Sequence, residues 1–161
     1  MSLILTPLQH IPIIRQGDPL ADIILNALHQ TEITLQDNDI LIIAQKIVSK
    51  AEGHMTNLVD VTPSQSAIEL GAQTEKDPRL VELMMRESNE VVRSRKGVIV
   101  VEHKLGFICA NAGIDHSNVG NVEENVLLLP ENPDRSARQL REKIEQKTNK
   151  TIGVMIIDSH G

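Results

Sequence analysis

Two apolar segments of this sequence each end in an aspartate that is surrounded by small polar residues. Asp115 follows the apolar residues 105–109, and Asp158 follows the apolar residues 154–157. Small polar residues do not pack a core, so each apolar segment is predicted to be a strand that ends where the polar residues begin. A hard divalent cation prefers oxygen ligands and keeps positions open for water and phosphate. The pattern therefore predicts a sheet with a divalent-metal site, formed by Asp115 and Asp158, at one edge.

The segment around Asp115 also fits a second interpretation, an ordinary tight loop whose Asn and Ser side chains cap their own backbone. Ser159 directly follows Asp158, and this pairing favours the metal site because a carboxylate and a hydroxyl group both offer oxygen ligands. His116 and His160 flank the two aspartates. Their spacing matches no zinc motif, so we expect both histidines to be loop residues that face solvent.

Apolar runs alternate with helix-start signals along the chain. The predicted helix starts are Asp18-Pro19, Thr62-Pro63, Asp77-Pro78 and Pro133-Asp134. The predicted strands are residues 3–8, 40–44, 91–92, 98–101, 105–109 and 154–157. Residues 127–130 are expected to be a short extended segment. The run 40–44 is apolar without interruption, so we expect this strand to be buried on both faces. Together these elements predict a single domain of the α+β (mixed α/β) class, residues 1–161, with a mixed sheet and flanking helices.

The composition argues against two kinds of partner. Phe107 is the only aromatic residue among 161, so the chain has almost no platform for stacking the bases of single-stranded nucleic acid. A net charge of −6 argues against binding to nucleic acid or to an anionic membrane, since both require a basic surface. The single cysteine, Cys109, lies in an apolar run and is expected to pack as a small apolar residue. With no signal-peptide pattern and no apolar run of membrane-spanning length, we expect a cytoplasmic protein.

Two lysines follow the apolar run 40–44. Lys46 and Lys50 are four residues apart, so they share one face if this stretch is helical. Such a face after a buried strand could neutralise phosphate groups, or it could simply be a solvated charged surface. The sequence contains neither the glycine-rich P-loop nor the glycine pattern of dinucleotide-binding proteins. The residue pattern alone does not decide whether the lysines bind phosphate or form a solvated charged surface.

Five segments of the chain carry a family resemblance when they are taken in order. They are Ile11-Pro12-Ile13-Ile14, Ile47-Val48-Ser49-Lys50-Ala51-Glu52-Gly53, Asn111-Ala112-Gly113-Ile114-Asp115-His116-Ser117-Asn118, Leu127-Leu128-Leu129-Pro130 and Ile157-Asp158-Ser159-His160-Gly161. This series resembles the coenzyme F420-0:L-glutamate ligases, the GTP-dependent enzymes that add glutamate to a deazaflavin coenzyme. The resemblance extends over the chain from end to end.

The resemblance implies a set of binding and catalytic residues. The guanine nucleotide would be bound by Ile11, Pro12, Ile13, Ile14, Gln45, Lys46, Lys50 and Asn118. The divalent metal would be bound by Asp115, Asp158 and Ser159, with the two aspartates as the catalytic residues. The family usually has small hydroxyl residues where this chain has Gln45 and Lys46, whereas Lys50 matches the family pattern. Ser159 replaces a more usual threonine that offers the same oxygen ligand.

The resemblance also implies an activity, cofactors and partners. The coenzyme carboxylate would receive the γ-phosphoryl group of GTP, and the acyl phosphate would react with the amine of L-glutamate to form an amide. A γ-glutamyl bond would follow in the biosynthesis of coenzyme F420. Magnesium or manganese would be required, a potassium ion is also allowed, and a homodimer is expected.

Two alternatives remain beside the ligase. Family members continue beyond the last matching segment into a region with further nucleotide contacts and another acidic metal ligand. We therefore expect this chain to correspond to the larger N-terminal part of such a protein and to have weak GTP binding by itself. One alternative is accordingly a non-catalytic fragment or subunit that retains the fold. The other is a metal-dependent phosphohydrolase that uses the same aspartates.

Overall fold

A computed structural model describes residues 3–116 and 124–158 of the protein. The backbone groups into two compact units, one formed by residues 1–53 and 130–161 and the other by residues 54–129. We call these the first and the second unit. No helix in the described part of the chain is long and apolar enough to cross a membrane.

Helices and short strands occur in both units, which confirms the predicted α+β class. The helices are α1 (Leu20–Gln30), α2 (Gln45–Glu52), α3 (Gln65–Thr74), α4 (Pro78–Arg86) and α5 (Pro133–Thr148). The strands are β1 (Ile40–Ala44), β2 (Met55–Asn57), β3 (Ser88–Arg95), β4 (Val98–His103), β5 (Ile108–Ala110), β6 (Asn125–Leu127) and β7 (Gly153–Ile157). The described strands form three small sheets with the orders β1-β7, β2-β6 and β3-β4-β5.

The first unit contains the only parallel strand pair among the described residues. β1 and β7 run in the same direction, with Ile40 opposite Gly153 and Ala44 opposite Ile157. One face of this pair packs on the apolar sides of α1, α2 and α5, where Ile24, Val48 and Ile144 are buried. The parallel direction brings the carboxyl ends of both strands to the same edge of the sheet.

The second unit consists of two antiparallel sheets and the helices α3 and α4. Val81 and Met84 of α4 pack against Ile99 and Val101, which lie on the inner face of β4. A second cluster joins Leu83 to Val126 of β6. The alternation of buried and half-exposed residues along β4 is the pattern expected of a strand with one face on a core.

Three local predictions from the sequence were wrong. Residues 3–8 form no strand and are mostly exposed, and none of the described strands pairs with them. Asp18 does not cap α1; its carboxylate accepts the N–H of Arg15, and Pro19 is the residue at the cap position. Helix α3 begins at Gln65 rather than after Thr62-Pro63, because the Ser64 hydroxyl accepts the N–H of Ala67.

The strand β1 is buried on one face only, which corrects the prediction that both faces are covered. Leu41 and Ile43 are buried, whereas Ile40 and Ile42 on the other face are 59% and 51% exposed. An uninterrupted apolar run can therefore predict a strand, but it does not predict whether one or both faces of that strand are buried. The strand itself, at residues 40–44, was predicted correctly.

Glu82 holds the start of α3 against α4 in the second unit. Its carboxylate accepts the N–H of Ser64 at 2.9 Å and the Nε–H of Arg86 at 2.9 Å. Hydrogen bonding from Ser64, assisted by Arg86, lowers the pKa of Glu82 to about 2. The carboxylate therefore stays ionised and keeps this connection through the ordinary pH range.

Candidate functional site

The carboxyl edge of the parallel pair β1-β7 collects several of the residues that the sequence predicted to be functional. Ala44 lies opposite Ile157, so the residues that follow them, Gln45 and Asp158, both leave the sheet at this edge. The Asp158 side chain is exposed. Open sheets with parallel strands bind ligands at the carboxyl ends of those strands. This edge of the first unit is therefore a candidate binding site.

Helix α2 starts directly at the end of β1 and brings its first N–H groups to the same edge. Its preceding residue, Ala44, is extended, and no side chain caps the helix. N–H groups at a helix start attract phosphate and carboxylate groups. Lys46 and Lys50 lie four residues apart on this helix and are half-buried. The prediction that both lysines share a helical face is confirmed.

Gln45 is buried and faces into the unit. Its Oε1 atom accepts the hydroxyl of Ser49, which is fully buried, at 2.9 Å. The side-chain oxygen of Gln45 is therefore already engaged in a hydrogen bond inside the protein. The contact between Gln45 and the nucleotide stays a prediction. The backbone N–H of Gln45, at the start of α2, is the group that could make this contact.

The predicted nucleotide-binding residues Ile11, Pro12, Ile13 and Ile14 lie before α1 in a segment that is neither helix nor strand. Ile13 is exposed and Ile14 is buried. Two contacts anchor the end of this segment to α2. The N–H of Gly17 donates to the carbonyl of Ala51 at 2.8 Å, and Gln16 packs over Gly53. The segment 11–14 and the lysine-bearing helix α2 are therefore held together in the first unit.

Gly53 is required at the end of α2 for two reasons. Its φ of 79° lies in the left-handed region, and its N–H donates to the carbonyls of Ser49 and Lys50. A Cβ atom at this position would lie 2.3 Å from Nε2 of Gln16. Neither the role of Gly53 nor that of Gln16 was singled out from the sequence, because the contact becomes visible only when the segment and the helix are brought together.

We expect Gly53→Ala to lower the free energy of unfolding by about 1–3 kcal/mol, because the alanine combines a left-handed backbone with a close contact. Gly17→Ala is the matched control. Gly17 also has a positive φ, of 85°, but no atom lies within 4 Å of an added Cβ. Urea denaturation of both variants measures the difference.

A double variant separates the two causes of the loss at Gly53. Gln16→Ala combined with Gly53→Ala removes the close contact and should recover the part of the loss that exceeds the Gly17→Ala value. If Gly53→Ala and Gly17→Ala are equally destabilising and the double variant recovers nothing, the anchoring of residues 11–14 by Gln16 is refuted.

In the second unit, Asp115 follows a turn with three left-handed residues in a row. Asn111, Ala112 and Gly113 have φ values of 53°, 54° and 64°. The Asn111 side chain accepts the N–H of Ile99 at 3.2 Å, so it ties the turn to β4 instead of capping its own backbone. Non-glycine residues in this region cost about 1–3 kcal/mol each and concentrate at functional sites. The turn therefore supports a functional interpretation of Asp115.

The backbone of Asp115 is fixed by a short antiparallel bridge to Leu127. Its N–H donates to the Leu127 carbonyl at 2.9 Å, and its carbonyl accepts the Leu127 N–H at 2.8 Å. Leu127 is fully buried, and Asp115 itself is half-buried. Two backbone hydrogen bonds therefore hold the position of Asp115, and its predicted role as a metal ligand stays a prediction.

A network of charges near this turn was not found from the sequence. Arg79 donates to Asp77 at 2.7 Å and to Glu124 at 3.2 Å. The hydrogen bond from Arg79 lowers the pKa of Asp77, and the charge of His116 adds a smaller lowering. Hydrogen bonding to Asp77 and then to Glu124 raises the pKa of Arg79. Glu124 is 45 residues from Arg79, and no local pattern connects them.

Some predicted site residues cannot be compared with the structure. Asn118 and Ser159 lie outside the described residues. Asp115 belongs to the second unit and Asp158 to the first, so a metal site that uses both stays a prediction. Among residues 3–116 and 124–158, no three His, Cys, Asp or Glu side chains group as a metal site.

The described residues define an α+β protein with charged residues at the carboxyl end of a parallel strand pair. A family model described as F420-0:Gamma-glutamyl ligase matches residues 9–161. The chain belongs to the F420-0:gamma-glutamyl ligase family. This membership confirms the resemblance that the five sequence segments carry.

Named relatives support the same family. The coenzyme F420:L-glutamate ligase of Methanothermobacter thermautotrophicus is 39% identical over 161 residues, which is all of this chain and 63% of the relative. The protein of the same name from Methanosarcina mazei is 41% identical over 95% of this chain and 57% of its own length. That from Methanococcus maripaludis is 44% identical over 79% of this chain and 50% of its own length. The matches thus cover between half and two thirds of these relatives.

Proposed function

We propose that the protein acts as a GTP- and divalent-metal-dependent ligase that adds L-glutamate to coenzyme F420-0. Family membership and the names of the relatives support a ligase activity with coenzyme F420-0 and L-glutamate as the substrates that are joined. The observation that carries the proposal is the edge of the first unit, where Asp158, the start of α2 and its two lysines occur together with the anchored segment 11–14. A homodimer, a cytoplasmic location and a potassium ion belong to the same proposal.

The proposed reaction has two steps. A carboxylate oxygen of the coenzyme attacks the γ-phosphorus of GTP, the bond to the β–γ bridging oxygen breaks, and GDP leaves. The amine of glutamate then attacks the acyl carbon of the resulting acyl phosphate. The bond from that carbon to the phosphate oxygen breaks, inorganic phosphate leaves, and the amine proton passes to solvent. The product is an amide.

The protein's own groups would serve this reaction by positioning and by neutralising charge. All three substrates are anionic and repel one another. The N–H groups at the start of α2, with Lys46 and Lys50, would neutralise phosphate oxygens as charge develops in transfer. The segment 11–14 would hold the guanine nucleotide through its backbone.

In the proposal, the carboxylates of Asp115 and Asp158 would hold a divalent cation, since each offers oxygen ligands: Asp158 is exposed after a strand end, and the backbone of Asp115 is bridged to Leu127. Magnesium or manganese would supply positive charge that offsets the charge of the phosphate groups. In the proposal, Asp115 and Asp158 orient that cation, and Ser159 adds a hydroxyl oxygen.

A turnover experiment tests the proposal. The purified protein is incubated with GTP, coenzyme F420-0 and manganese, with and without L-glutamate, and GDP and the coenzyme product are quantified. We expect GDP and product to form only when both acceptor and glutamate are present, at a low rate because GTP binding by this chain is expected to be weak, with a product heavier by one glutamyl residue. Multiple turnovers of GTP without glutamate would favour a phosphohydrolase, and no turnover under any condition would contradict the proposal.

Lys50 should contribute more to GTP binding than Lys46, because Lys50 matches the family pattern and Lys46 departs from it. We expect Lys50→Ala to weaken GTP binding by about 1.5–3 kcal/mol, the effect of losing a hydrogen bond to a charged group. Lys46→Ala should cost less. GTP titrations of both variants at a fixed metal concentration measure these losses.

The two lysine variants are controls for each other, since both remove one positive charge from the same helix. Equal losses would reduce Lys50 to one of two interchangeable charges. If neither variant weakens binding, the phosphate groups of GTP bind elsewhere and the proposed role of α2 is wrong.

A further inference from the structure

A groove occurs in the second unit, at the end of the hairpin formed by β3 and β4. It has a volume of about 270 Å³. Its lining residues are Arg93, Ser94, Arg95, Val98 and Val100. The proposed ligase reaction uses neither of these two arginines.

The register of the hairpin puts both arginines over the two valines. Arg93 lies opposite Val100 and Arg95 opposite Val98. Cross-strand partners share a face of the sheet, and that face is opposite the one on which Ile99 is buried. Arg93 and Arg95 are two residues apart, so their Cα atoms are about 7 Å apart along the strand. Two guanidinium groups therefore border one apolar floor.

The positive charge of this pair is not neutralised within the described part of the chain. Neither the Arg93 nor the Arg95 side chain has a hydrogen bond or ion pair there, whereas Lys96 in the adjoining turn pairs with Glu75 at 2.8 Å. Charged residues on an edge strand discourage aggregation, but that role does not require two like charges beside an apolar groove.

Carboxylates occupy the other end of the same face. Glu90 lies opposite Glu102, beyond an irregularity in the pairing of β3 with β4. Asn89 donates to Glu102 at 2.9 Å. The face thus combines positive charge with apolar surface near the turn and is negative at its far end, so an anion would bind at the arginine end.

We propose that this arginine groove binds a small organic anion. A carboxylate or phosphate group pairs with the guanidinium groups of Arg93 and Arg95, because their planar forks match two oxygens of such a group. An apolar or planar part of the same molecule lies on Val98 and Val100. The deazaflavin coenzyme has this chemistry, and its assignment as the occupant rests on the proposed function.

Nuclear magnetic resonance of the arginine side chains tests the groove directly. The Nε–H signals of Arg93 and Arg95 are assigned with the variants Arg93→Lys and Arg95→Lys, which retain the charge but lose the fork. Pyrophosphate is one probe, since it offers the anion alone, and coenzyme F420-0 is the other. We expect both signals to shift with either probe, and the double lysine variant to bind each probe at this site at least tenfold more weakly.

Two further variants sharpen this test. Arg138→Lys is the matched control, because Arg138 is also exposed and has no ion pair among the described residues. It should bind both probes like the unaltered protein. Val100→Thr keeps the size of the side chain but adds a hydroxyl to the floor, and it should weaken binding of the coenzyme more than that of pyrophosphate.

The outcomes separate this inference from the proposed function. Shifts of Arg93 and Arg95 with pyrophosphate but not with the coenzyme would support the anion site and remove the coenzyme as its occupant. Unchanged signals with both probes would overturn the inference, even if the ligase reaction is observed. Binding that is equal in the double variant and in Arg138→Lys would overturn it as well.

Discussion

Asp115→Asn is expected to weaken manganese binding by at least about a hundredfold. Substituting a residue that only hydrogen-bonds to a metal ligand already lowers metal affinity by about 10- to 100-fold, and this variant changes a predicted ligand itself. The asparagine keeps the shape of the side chain but removes its charge. The backbone bridge to Leu127 uses only main-chain atoms, so the fold should persist. Calorimetric titration with manganese measures the affinity, and circular dichroism checks the fold.

Asp60→Asn is the matched control for this prediction. Asp60 is an exposed aspartate in the same unit, at the end of the short helical turn Leu58–Asp60. The variant removes the same charge without touching the left-handed turn. An unchanged manganese affinity in Asp115→Asn, a loss of equal size in Asp60→Asn, or an unaltered protein that binds no manganese would each contradict the assignment of Asp115 as a ligand.

The parts of the fold that depend on local chemistry could be predicted from the sequence. Asp77 caps α4 and accepts the N–H of Arg79, and Pro133 begins α5, as their residue types indicated. Elements that depend on distant partners could not be predicted. β2 has three residues, too few to show a period, and it exists because it pairs with β6, about 70 residues away.

Some features of the candidate site could likewise be predicted from the local sequence, and others could not. An aspartate after an apolar run indicated the end of a strand, and Asp158 does follow β7. The positive φ of Ala112 could not be predicted, because alanine has no preference for this region and only the packing of its buried side chain holds it there. The arginine groove also escaped prediction, since the register of β3 with β4 decides which residues share a face.

The second large predicted effect concerns the free energy of unfolding and tests which face of β1 is buried. Ile144 of α5 is fully buried in the core of the first unit, whereas Ile42 of β1 is 51% exposed. We expect Ile144→Ala to lower the free energy of unfolding by about 2–5 kcal/mol, because it removes buried apolar contacts and leaves a cavity. Ile42→Ala makes the same chemical change in the same unit and should cost less than about 1 kcal/mol. Urea denaturation measures both.

Each result at Ile42 has a distinct structural meaning. A small loss agrees with a strand that is buried on one face, as the accessibility of Ile40 and Ile42 indicates. A loss as large as that of Ile144→Ala would mean that the outer face of β1 is covered in solution, as its uninterrupted apolar sequence predicts, because parallel strands are ordinarily covered on both faces. A small loss for Ile144→Ala instead would contradict the placement of Ile144 in the core of the first unit, because truncating a fully buried isoleucine ordinarily costs about 2–5 kcal/mol.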